Sequence, residues 1–467
     1  MIANFSFFIW VVLSVLSLSE GAYPNIYQPI RTNDISADDD VGDPLILTPL
    51  LKNNQIEEAK KAASVKIAGF ENTTSYSGYF TVDEAFDSNL FFWFFPSEND
   101  YENDPVLLWL QGGPGASSLY ALFSENGPFI VKNGDELSLR EYTWTKNHSV
   151  LYIDNPVGTG YSFTNNGFAQ NETKVGEDLY QALVQFFTVF PEIASNAFFI
   201  TGESYAGKYI PAIGYTIYKR NAVEEFQINL QGLLIGDGLT DPENQISELG
   251  NYLYEIGFVD DEGREQFSKL QNETVDYIKQ GDYLKAFDSF DVLLNGDFTR
   301  PTLFQNLTGF TTYFNYLFRP SFDDDSSYET FIQTADVRKA IHVGNLSYSS
   351  TDVEDNLRND VMQSIAPWVA ELLSAYRVLF FNGQLDIIVA YPLTVNFLKH
   401  LNFTSAEEYS TAARNVWYVD NEVAGYVKVA GNLTEVLVRA AGHMVPSDQP
   451  KWAYDLVYNF VRNISLA

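Results

Sequence analysis

A serine in a turn of small residues is the strongest candidate for chemistry in this 467-residue chain. The apolar run Ala197–Thr201 leads into the turn Gly202–Gly207, and a helical pattern follows over Tyr205–Lys219. At such a strand-to-helix junction the serine backbone is strained and its Oγ is exposed above a sheet. Ala206 stands where the general pattern has glycine, and it is small enough for the same packing. The motif predicts that Ser204 is a nucleophile, whereas a pentapeptide of this kind outside such a junction is an ordinary turn.

A serine nucleophile needs a base, and in this arrangement the partners follow in the order Ser, Asp, His. Asp386 comes just after the apolar run Val378–Phe381, where a carboxylate can orient an imidazole. His443 lies in a loop between glycine and proline, after the predicted strand Glu435–Val438. It is the one histidine beyond Asp386 in such a loop. The sequence therefore predicts a Ser204, Asp386 and His443 triad.

Acyl transfer also needs hydrogen-bond donors for an oxyanion. The segment Leu107–Ser118 follows an apolar strand and contains consecutive glycines, so its backbone can approach a substrate oxygen. We assign the N–H groups of Gly113 and Tyr205 to this role. The alternatives are a plain glycine-rich turn or a phosphate loop, but neither phosphate-loop pattern is present.

Composition removes several other functions. The chain has 61 Asp and Glu against 28 Lys and Arg, a net charge of −33, which excludes the cationic surface that nucleic acid needs. The absence of cysteine excludes disulfides, thiolate metal sites and a cysteine nucleophile. The four histidines do not show metal-binding spacing, so we expect no metal and no cofactor. We expect His148 and His400 at the surface and His342 packed in a helix.

The N-terminus indicates the secretory pathway. Residues 1–21 contain the apolar run Phe7–Leu18 and end in small residues, which is typical of a signal peptide. A membrane anchor is the alternative, but spanning needs about 20 apolar residues. No later stretch is apolar enough to span a membrane, so we expect a secreted or lysosomal product. Nine N-x-S/T acceptors support this and predict glycosylated surface loops at Asn72, Asn147, Asn171, Asn272, Asn306, Asn345, Asn402, Asn432 and Asn463.

The elements around these motifs indicate an α/β fold. With 46% hydrophobic residues the chain can form a large core. Tyr76–Val82 and Asn89–Phe95 predict an antiparallel pair, and Glu177–Phe187 predicts a helix. Short apolar runs of the kind buried on both faces of a sheet lie at Val106–Leu110, Val150–Ile153, Ala197–Thr201, Leu230–Ile235 and Val378–Phe381. We predict a mostly parallel central sheet with helices on both faces.

The domain plan follows from where this alternation holds. Residues 1–21 are the signal, and residues 22–63 are predicted to be an acidic, extended leader on the surface. The α/β core is predicted over 64–240 and 336–467. Between its two parts, residues 241–335 lack buried-strand patterns and are predicted to be an inserted helical cap.

Six ordered blocks together resemble the serine carboxypeptidase family and cover almost the whole chain after the leader. They are Trp109–Gly115, Glu125–Pro128, Asp154–Phe163, Gly202–Gly207, Asn382–Asp386 and Gly442–Pro446. Gln111, where yeast-type members carry Asn, makes the chain most similar to the vitellogenic-like carboxypeptidases. The resemblance implies an α/β-hydrolase fold and removal of the C-terminal residue from peptides or proteins through an acyl-enzyme.

The resemblance also implies a subsite for the terminal carboxylate. Its residues would be Trp109, Gln111, Gly112 and Glu203, with Glu125 paired to Glu203 and Met444 beside the leaving residue. Two buried carboxyl groups in contact cannot both ionise cheaply, so the pair should hold a proton and favour peptide binding in acid. Ala116 replaces a family cysteine, so the cap lacks the usual disulfides.

Two other functions compete with this prediction. An esterase or acyltransferase would use the same acyl-enzyme, but the predicted carboxylate subsite favours a peptidase. A catalytically silent secreted binding protein would not need all three triad residues and the glycine loop. The sequence leaves open whether the protein is a monomer or a homodimer, and which side chains it prefers.

Overall fold

The computed structural model describes residues 39–132, 136–317, 327–350 and 352–466. Each apolar run of the core forms a strand, and the predicted antiparallel pair is confirmed as β1 and β2. The strands are β1 (Tyr76–Asp83), β2 (Ser88–Phe95), β3 (Val106–Leu110), β4 (Phe129–Lys132), β5 (Glu136–Leu139), β6 (Ser149–Ile153), β7 (Phe198–Glu203), β8 (Leu230–Gly236), β9 (Arg377–Gly383), β10 (Asn415–Val419), β11 (Glu422–Ala430) and β12 (Leu433–Val438).

Helices lie between many of the strands, and the two predicted helices of the core are confirmed as α4 and α5. The α-helices are α1 (Thr48–Lys52), α2 (Ile56–Ala62), α3 (Leu119–Ser124), α4 (Glu172–Val189), α5 (Ala206–Arg220), α6 (Pro242–Ile246), α7 (Leu249–Glu255), α8 (Asp261–Gln280), α9 (Tyr283–Phe290), α10 (Leu303–Thr308), α11 (Ser327–Ile332), α12 (Ala335–Ala340), α13 (Val353–Val361), α14 (Ala366–Leu372), α15 (Tyr391–His400), α16 (Ala406–Thr411), α17 (Val445–Asp448) and α18 (Pro450–Val461).

One large sheet carries the site. Its strand order is β1-β2-β6-β3-β7-β8-β9-β12-β11-β10. The six strands from β6 to β12 pair in parallel, and antiparallel strands close both edges. The carboxyl ends of parallel strands therefore meet at one edge of the sheet, where ligands bind in open α/β folds. The predicted fold class is confirmed.

Both faces of this sheet are covered. Leu108 and Ile200 belong to a buried cluster that includes residues of α4 and α5. Their strand neighbours Leu107 and Phe199 point the other way and join a second cluster with residues of α18. Successive side chains of a strand alternate between faces, so runs that are apolar throughout require helices on both sides.

The described part of the stretch between β8 and β9 consists of helices joined by turns and loops. It contains α6 to α14, and within residues 241–335 the described part has no strand. An aromatic cluster ties it together, with Phe258 in edge contact with Phe310 and Tyr316 at centroid distances of 4.6 and 5.7 Å. The boundaries of the cap, 241 and 335, stay a prediction.

The extended surface leader predicted for residues 22–63 is wrong over its second half. Residues 47–63 contain α1 and α2, and Leu47, Ala59 and Ala63 are fully buried. Leu47 also hydrogen-bonds through its N–H to the Tyr79 carbonyl at 2.9 Å. Burial of these apolar side chains against the core outweighs the acidic character of the segment.

The signal predicted at residues 1–21 and the leader residues 22–38 lie outside the described part. In the part that is described, no helix is long and apolar enough to cross a membrane.

Candidate active site

Ser204 lies on a strained turn between β7 and α5, as the motif predicts. Its φ is +62°, and its N–H donates to the Gly236 carbonyl at 2.9 Å. A side chain at Gly202 would lie 2.1 Å from the Leu110 carbonyl oxygen, which explains why this position is glycine. The surrounding strands keep the Ser204 backbone in this strained left-handed conformation, which is typical of functional turns. Ser204 itself is half-buried, so a substrate can reach it.

His443 and Asp386 form a buried hydrogen-bonded pair. The Nδ1 of His443 lies 2.9 Å from Oδ2 of Asp386, and both side chains are almost completely inaccessible. Two backbone N–H groups, of Ile388 at 3.0 Å and Val389 at 3.2 Å, also donate to the Asp386 carboxylate. They fix the orientation of the carboxylate, and its bond to Nδ1 leaves Nε2 as the ring nitrogen that can act as a base. Among the described residues Nε2 of His443 has no hydrogen-bond partner, so it can accept a proton.

The electrostatics around His443 favour its protonated form. Burial acts to lower the pKa of His443, but the charge of Asp386 and the hydrogen bond to it outweigh burial, and Glu203 adds to them. The net pKa is above the ordinary value of histidine. A base with a moderately raised pKa accepts a proton readily from a hydroxyl group.

The glycine loop after β3 lies directly against the nucleophile. A side chain at Gly112 would lie 2.6 Å from the Ser204 Cβ and from the Tyr205 nitrogen. Gly113 has a φ of +119°, which favours glycine. No described backbone group accepts from the N–H of Gly113 or of Tyr205. Both donors are therefore free to bind an oxygen of a substrate.

A chain of hydrogen bonds links Trp109 to the residue before the nucleophile. The Trp109 Nε1 donates to Gln111 Oε1 at 2.9 Å, and Gln111 Nε2 donates to Glu203 Oε1 at 2.8 Å. Glu203 and Glu125 interact with each other, and both are 1% exposed. The structure thus brings together four of the residues predicted for the carboxylate subsite, and Gly112 packs beside them.

These two carboxyl groups hold a proton at unusually high pH. Burial raises the pKa of Glu203 to about 7, against the opposing effects of His443, Gln111 and Glu125. Burial also raises the pKa of Glu125 well above its usual range, and the charge of Glu203 and the hydrogen bond to it add to that effect. Since the two titrate together, the proton belongs to the pair.

Met444 directly follows His443 and is half-buried at the start of α17. Next to the imidazole, Phe314 packs at a ring centroid distance of 5.3 Å, and its carbonyl accepts the His443 N–H at 2.6 Å. The sequence analysis missed Phe314, because nothing in its local pattern links residues 310–316 to a loop more than 100 residues later.

Two of the other histidines differ from expectation. His148 is buried and not at the surface, because Nδ1 bonds the Trp144 carbonyl and Nε2 contacts Arg462. Burial lowers the pKa of His148 to about 3. His342 lies beyond the end of α12 with a φ of +62° and so is not a helix residue. His400 is exposed at the end of α15, as expected.

The predicted acceptor asparagines are exposed with one exception. Asn147 is half-buried, and its side-chain oxygen accepts from Tyr454. Asn272 and Asn306 are exposed but lie within α8 and α10, so the expectation of loops is wrong for them. Their helices are amphipathic enough to leave these positions at the surface. Glycosylation of the nine positions stays a prediction.

Asp237 is a site residue that the sequence analysis missed. It follows β8 directly, as Gln111 follows β3, so position after a buried strand was a usable signal. Asp237, Asp386 and His443 form the one group of acidic and histidine side chains, among those described, that is dense enough to hold a metal ion. Two of the three already bond each other, so an ion would compete with the Asp386–His443 hydrogen bond. We assign no metal to it.

The site combines a strained serine, a buried Asp–His pair and a loop with N–H groups that can bind a substrate oxygen, all at the carboxyl ends of the strands. This combination is typical of a serine hydrolase of the α/β-hydrolase class. Residues 66–463 match the sequence model of the serine carboxypeptidase family, and the chain belongs to that family. It is 52% identical over 457 residues to a venom serine carboxypeptidase of Apis mellifera, covering 97% of each chain. It is 44% identical over 469 residues to a vitellogenic carboxypeptidase of Aedes aegypti, covering 98% of each.

A solved structure supports the fold. Kex1Δp, a prohormone-processing carboxypeptidase from Saccharomyces cerevisiae, matches with a TM-score of 0.76 and 24% identity, covering 86% of this chain and 96% of that one. The predicted family, including the vitellogenic-like resemblance, is confirmed. The chain is a serine-type carboxypeptidase, which hydrolyses the C-terminal peptide bond of its substrates.

Proposed function

We propose that Ser204, His443 and Asp386 carry out this hydrolysis and that Glu203, Glu125, Gln111, Trp109 and Gly112 receive the substrate's terminal carboxylate. The observation that carries the proposal is the buried carboxyl pair of Glu125 and Glu203, because Glu203 directly precedes the nucleophile. A serine hydrolase that acts on neutral esters has no need for such a pair. A peptidase that selects a free C-terminus needs a donor at this place.

In acylation Ser204 is the nucleophile and His443 is the base. His443 Nε2 takes the proton of Ser204 Oγ as that oxygen bonds the carbonyl carbon of the last peptide bond. The N–H groups of Gly113 and Tyr205 donate to the resulting oxyanion. The C–N bond then breaks, and His443 passes its proton to the departing amine. The products are the free terminal residue and an ester on Ser204.

Deacylation reverses the proton path. A water molecule gives one proton to His443 Nε2 and bonds the ester carbon, and a second oxyanion forms in the same hole. The bond to Ser204 Oγ breaks as His443 returns the proton to that oxygen. Asp386 stays ionised throughout and stabilises the imidazolium. The shortened peptide leaves, and the enzyme returns to its starting state.

The acid pair gives the enzyme a preference for acidic pH. Below about pH 7 Glu203 itself is protonated, so it can donate a hydrogen bond to the substrate carboxylate. Above that pH an ionised Glu203 repels the same carboxylate. The ionised form of Glu203 also raises the pKa of His443. Protonation of the pair therefore favours both substrate binding and a neutral base.

Two further assignments rest on the same site. Met444 borders the pocket of the leaving residue, and Gln111 adds one methylene to the carboxylate subsite relative to asparagine. Both would influence which terminal residue is preferred. A secreted or lysosomal location fits the predicted signal and acceptor sites, and the name of the Apis mellifera relative as a venom protein supports secretion.

Covalent labelling tests the assignment of the nucleophile. Diisopropyl fluorophosphate should label the wild-type protein once and leave Ser204→Ala unlabelled. Ser410→Ala, an exposed serine of α16, is the matched control and should label normally. In parallel, a blocked dipeptide with a free carboxylate should lose its last residue far faster than its C-terminal amide. Labelling of Ser204→Ala, or equal turnover of acid and amide, would overturn the proposal.

A further inference from the structure

Asp237 places a second buried carboxyl group beside the acid of the triad. A carboxylate oxygen of Asp237, one of Asp386 and a ring nitrogen of His443 all lie within 4.8 Å of one another. Asp237 is fully buried and sits at the carboxyl end of β8, next to β9 in the sheet. Its neighbour strand leads into the Asp386 loop, so the two carboxyl groups meet where adjacent strands end.

The two oxygens of Asp237 have different surroundings. Oδ1 accepts the Gly383 N–H at 2.9 Å and is 3.4 Å from the Asn382 side-chain nitrogen. Oδ2 is buried with no donor within hydrogen-bond distance among the described residues. The backbone is held as well, since φ is +41° and the Asp237 N–H donates to the Phe381 carbonyl at 2.8 Å. Because Oδ2 of Asp237 has no donor among the described residues and is held rigidly near the Asp386 carboxylate, a proton on Oδ2 would relieve the repulsion between the two groups.

The groups that face Asp237 are mostly acidic or neutral. They include Asp386 from the loop after β9, Glu203 from β7 and Tyr252 from α7. His443, the one basic neighbour among the described residues, is already hydrogen-bonded to Asp386. Burial raises the pKa of Asp237 well above its usual range, and the negative charge of the neighbouring Asp386 adds to that effect. Two ionised carboxylates this close would repel each other strongly.

We propose that Asp237 keeps its proton over the working range and donates it from Oδ2 to the Asp386 carboxylate. Asp237 is thus a positioning residue for the hydrolysis proposed above, on which this inference rests. Asp386 would then receive four donors, from His443, Ile388, Val389 and Asp237. A carboxylate with that many donors is held in one orientation and pulls less strongly on the Nδ1 proton of His443.

Substitution by asparagine and by leucine separates this role from simple packing. Asp237→Asn keeps the shape, the acceptor for Gly383 and a donor for Asp386. We expect its kcat to stay within about threefold of wild type and its acid limb of kcat/KM to be unmoved. Asp237→Leu removes the donor, so Asp386 pulls harder on His443 and raises the imidazole pKa. We expect kcat to fall about 10- to 100-fold and the acid limb to move to higher pH.

The opposite assignment predicts a different result for the same variant. If Asp237 were ionised, Asp237→Asn would remove a negative charge near His443, and the acid limb would move to lower pH by about one unit. That shift, or wild-type kinetics in Asp237→Leu, would overturn the proposal. Asp241→Asn is the matched control, because this buried aspartate in the same loop faces Asn244 rather than Asp386.

Two further measurements test the protonation of Asp237 without peptide hydrolysis and without the Asp237→Leu variant. The rate of labelling by diisopropyl fluorophosphate needs a neutral His443, so its pH profile reports the imidazole even if the peptide proposal fails. Infrared difference spectra of wild type against Asp237→Asn at pH 5 should contain one protonated-carboxyl C=O band from wild type. A carboxylate band in its place would contradict the inference.

Discussion

Two buried pairs of carboxyl groups lie on either side of Ser204, and we assign them different functions. Glu203 and Glu125 lie behind the glycine loop, where Gln111 donates to Glu203 at 2.8 Å. Asp386 and Asp237 lie at the ends of β9 and β8, where His443 donates to Asp386 at 2.9 Å. In both pairs burial and a like charge favour retention of one proton. The first pair faces the substrate, and the second faces the base.

A buried pair of carboxyl groups that keeps a proton can therefore act in substrate binding at one place and in catalysis at another. Protonation of Glu203 near neutral pH makes substrate binding sensitive to pH, because its pKa of about 7 lies within the working range. On the proposed assignment Asp237 keeps its proton across that range, so the orientation of Asp386 does not change there. Changes to the first pair should therefore alter KM, and changes to the second should alter kcat.

The largest effect is expected from Asp386→Asn. An amide at this place donates to Nδ1 where a carboxylate accepts, so His443 would hold the wrong tautomer. By comparison with known triads, kcat should fall about 10³- to 10⁴-fold. KM should change little, because the Glu203 pair is intact. Steady-state kinetics on a blocked dipeptide acid measure both values.

A large rise in KM for Asp386→Asn would contradict the assignment of binding to one pair and catalysis to the other, because it would mean that the two pairs are not independent. Circular dichroism and unfolding of the variant serve as the control for a folded protein.

A smaller effect, on stability, is expected where the predicted cap contacts the loop that carries Asp386. Tyr252 of α7 donates its buried hydroxyl to the Asp386 carbonyl at 2.9 Å. Tyr252→Phe leaves that carbonyl unpaired, so the free energy of unfolding should fall by about 1–3 kcal/mol. Urea denaturation measures the loss, and Tyr254→Phe, two residues on and exposed, is the matched control. Equal stability of both variants would show that the cap does not support the Asp386 loop.

Local patterns were enough to predict the sheet and the triad candidates. Short apolar runs became β3, β6, β7, β8 and β9, because strands buried on both faces need continuous apolar sequence. Ser204 was predictable because its turn stands between an apolar run and a helical pattern. The carboxylate subsite was not predictable from spacing, because Glu125 and Glu203 are brought together by the fold, and it rested on family resemblance.

Other features depend on contacts that sequence patterns do not encode. Residues 47–63 pack as helices on the core although they look polar, because Leu47 and Ala59 find apolar partners. His148 is buried because Arg462, more than 300 residues later, lies beside its ring. Asp237 followed a predicted strand, but its importance comes from distance to Asp386 across two adjacent strands.

The pH dependence of KM tests most directly that a protonated Glu203 binds the substrate carboxylate. KM of the wild type for a blocked dipeptide acid should be low in acid and rise as pH passes about 7, because Glu203 then ionises. KM for the matching amide should not rise. Glu203→Gln stays neutral, so its KM for the acid should be flat over the same range. A rise of KM in Glu203→Gln equal to that of wild type would contradict the mechanism.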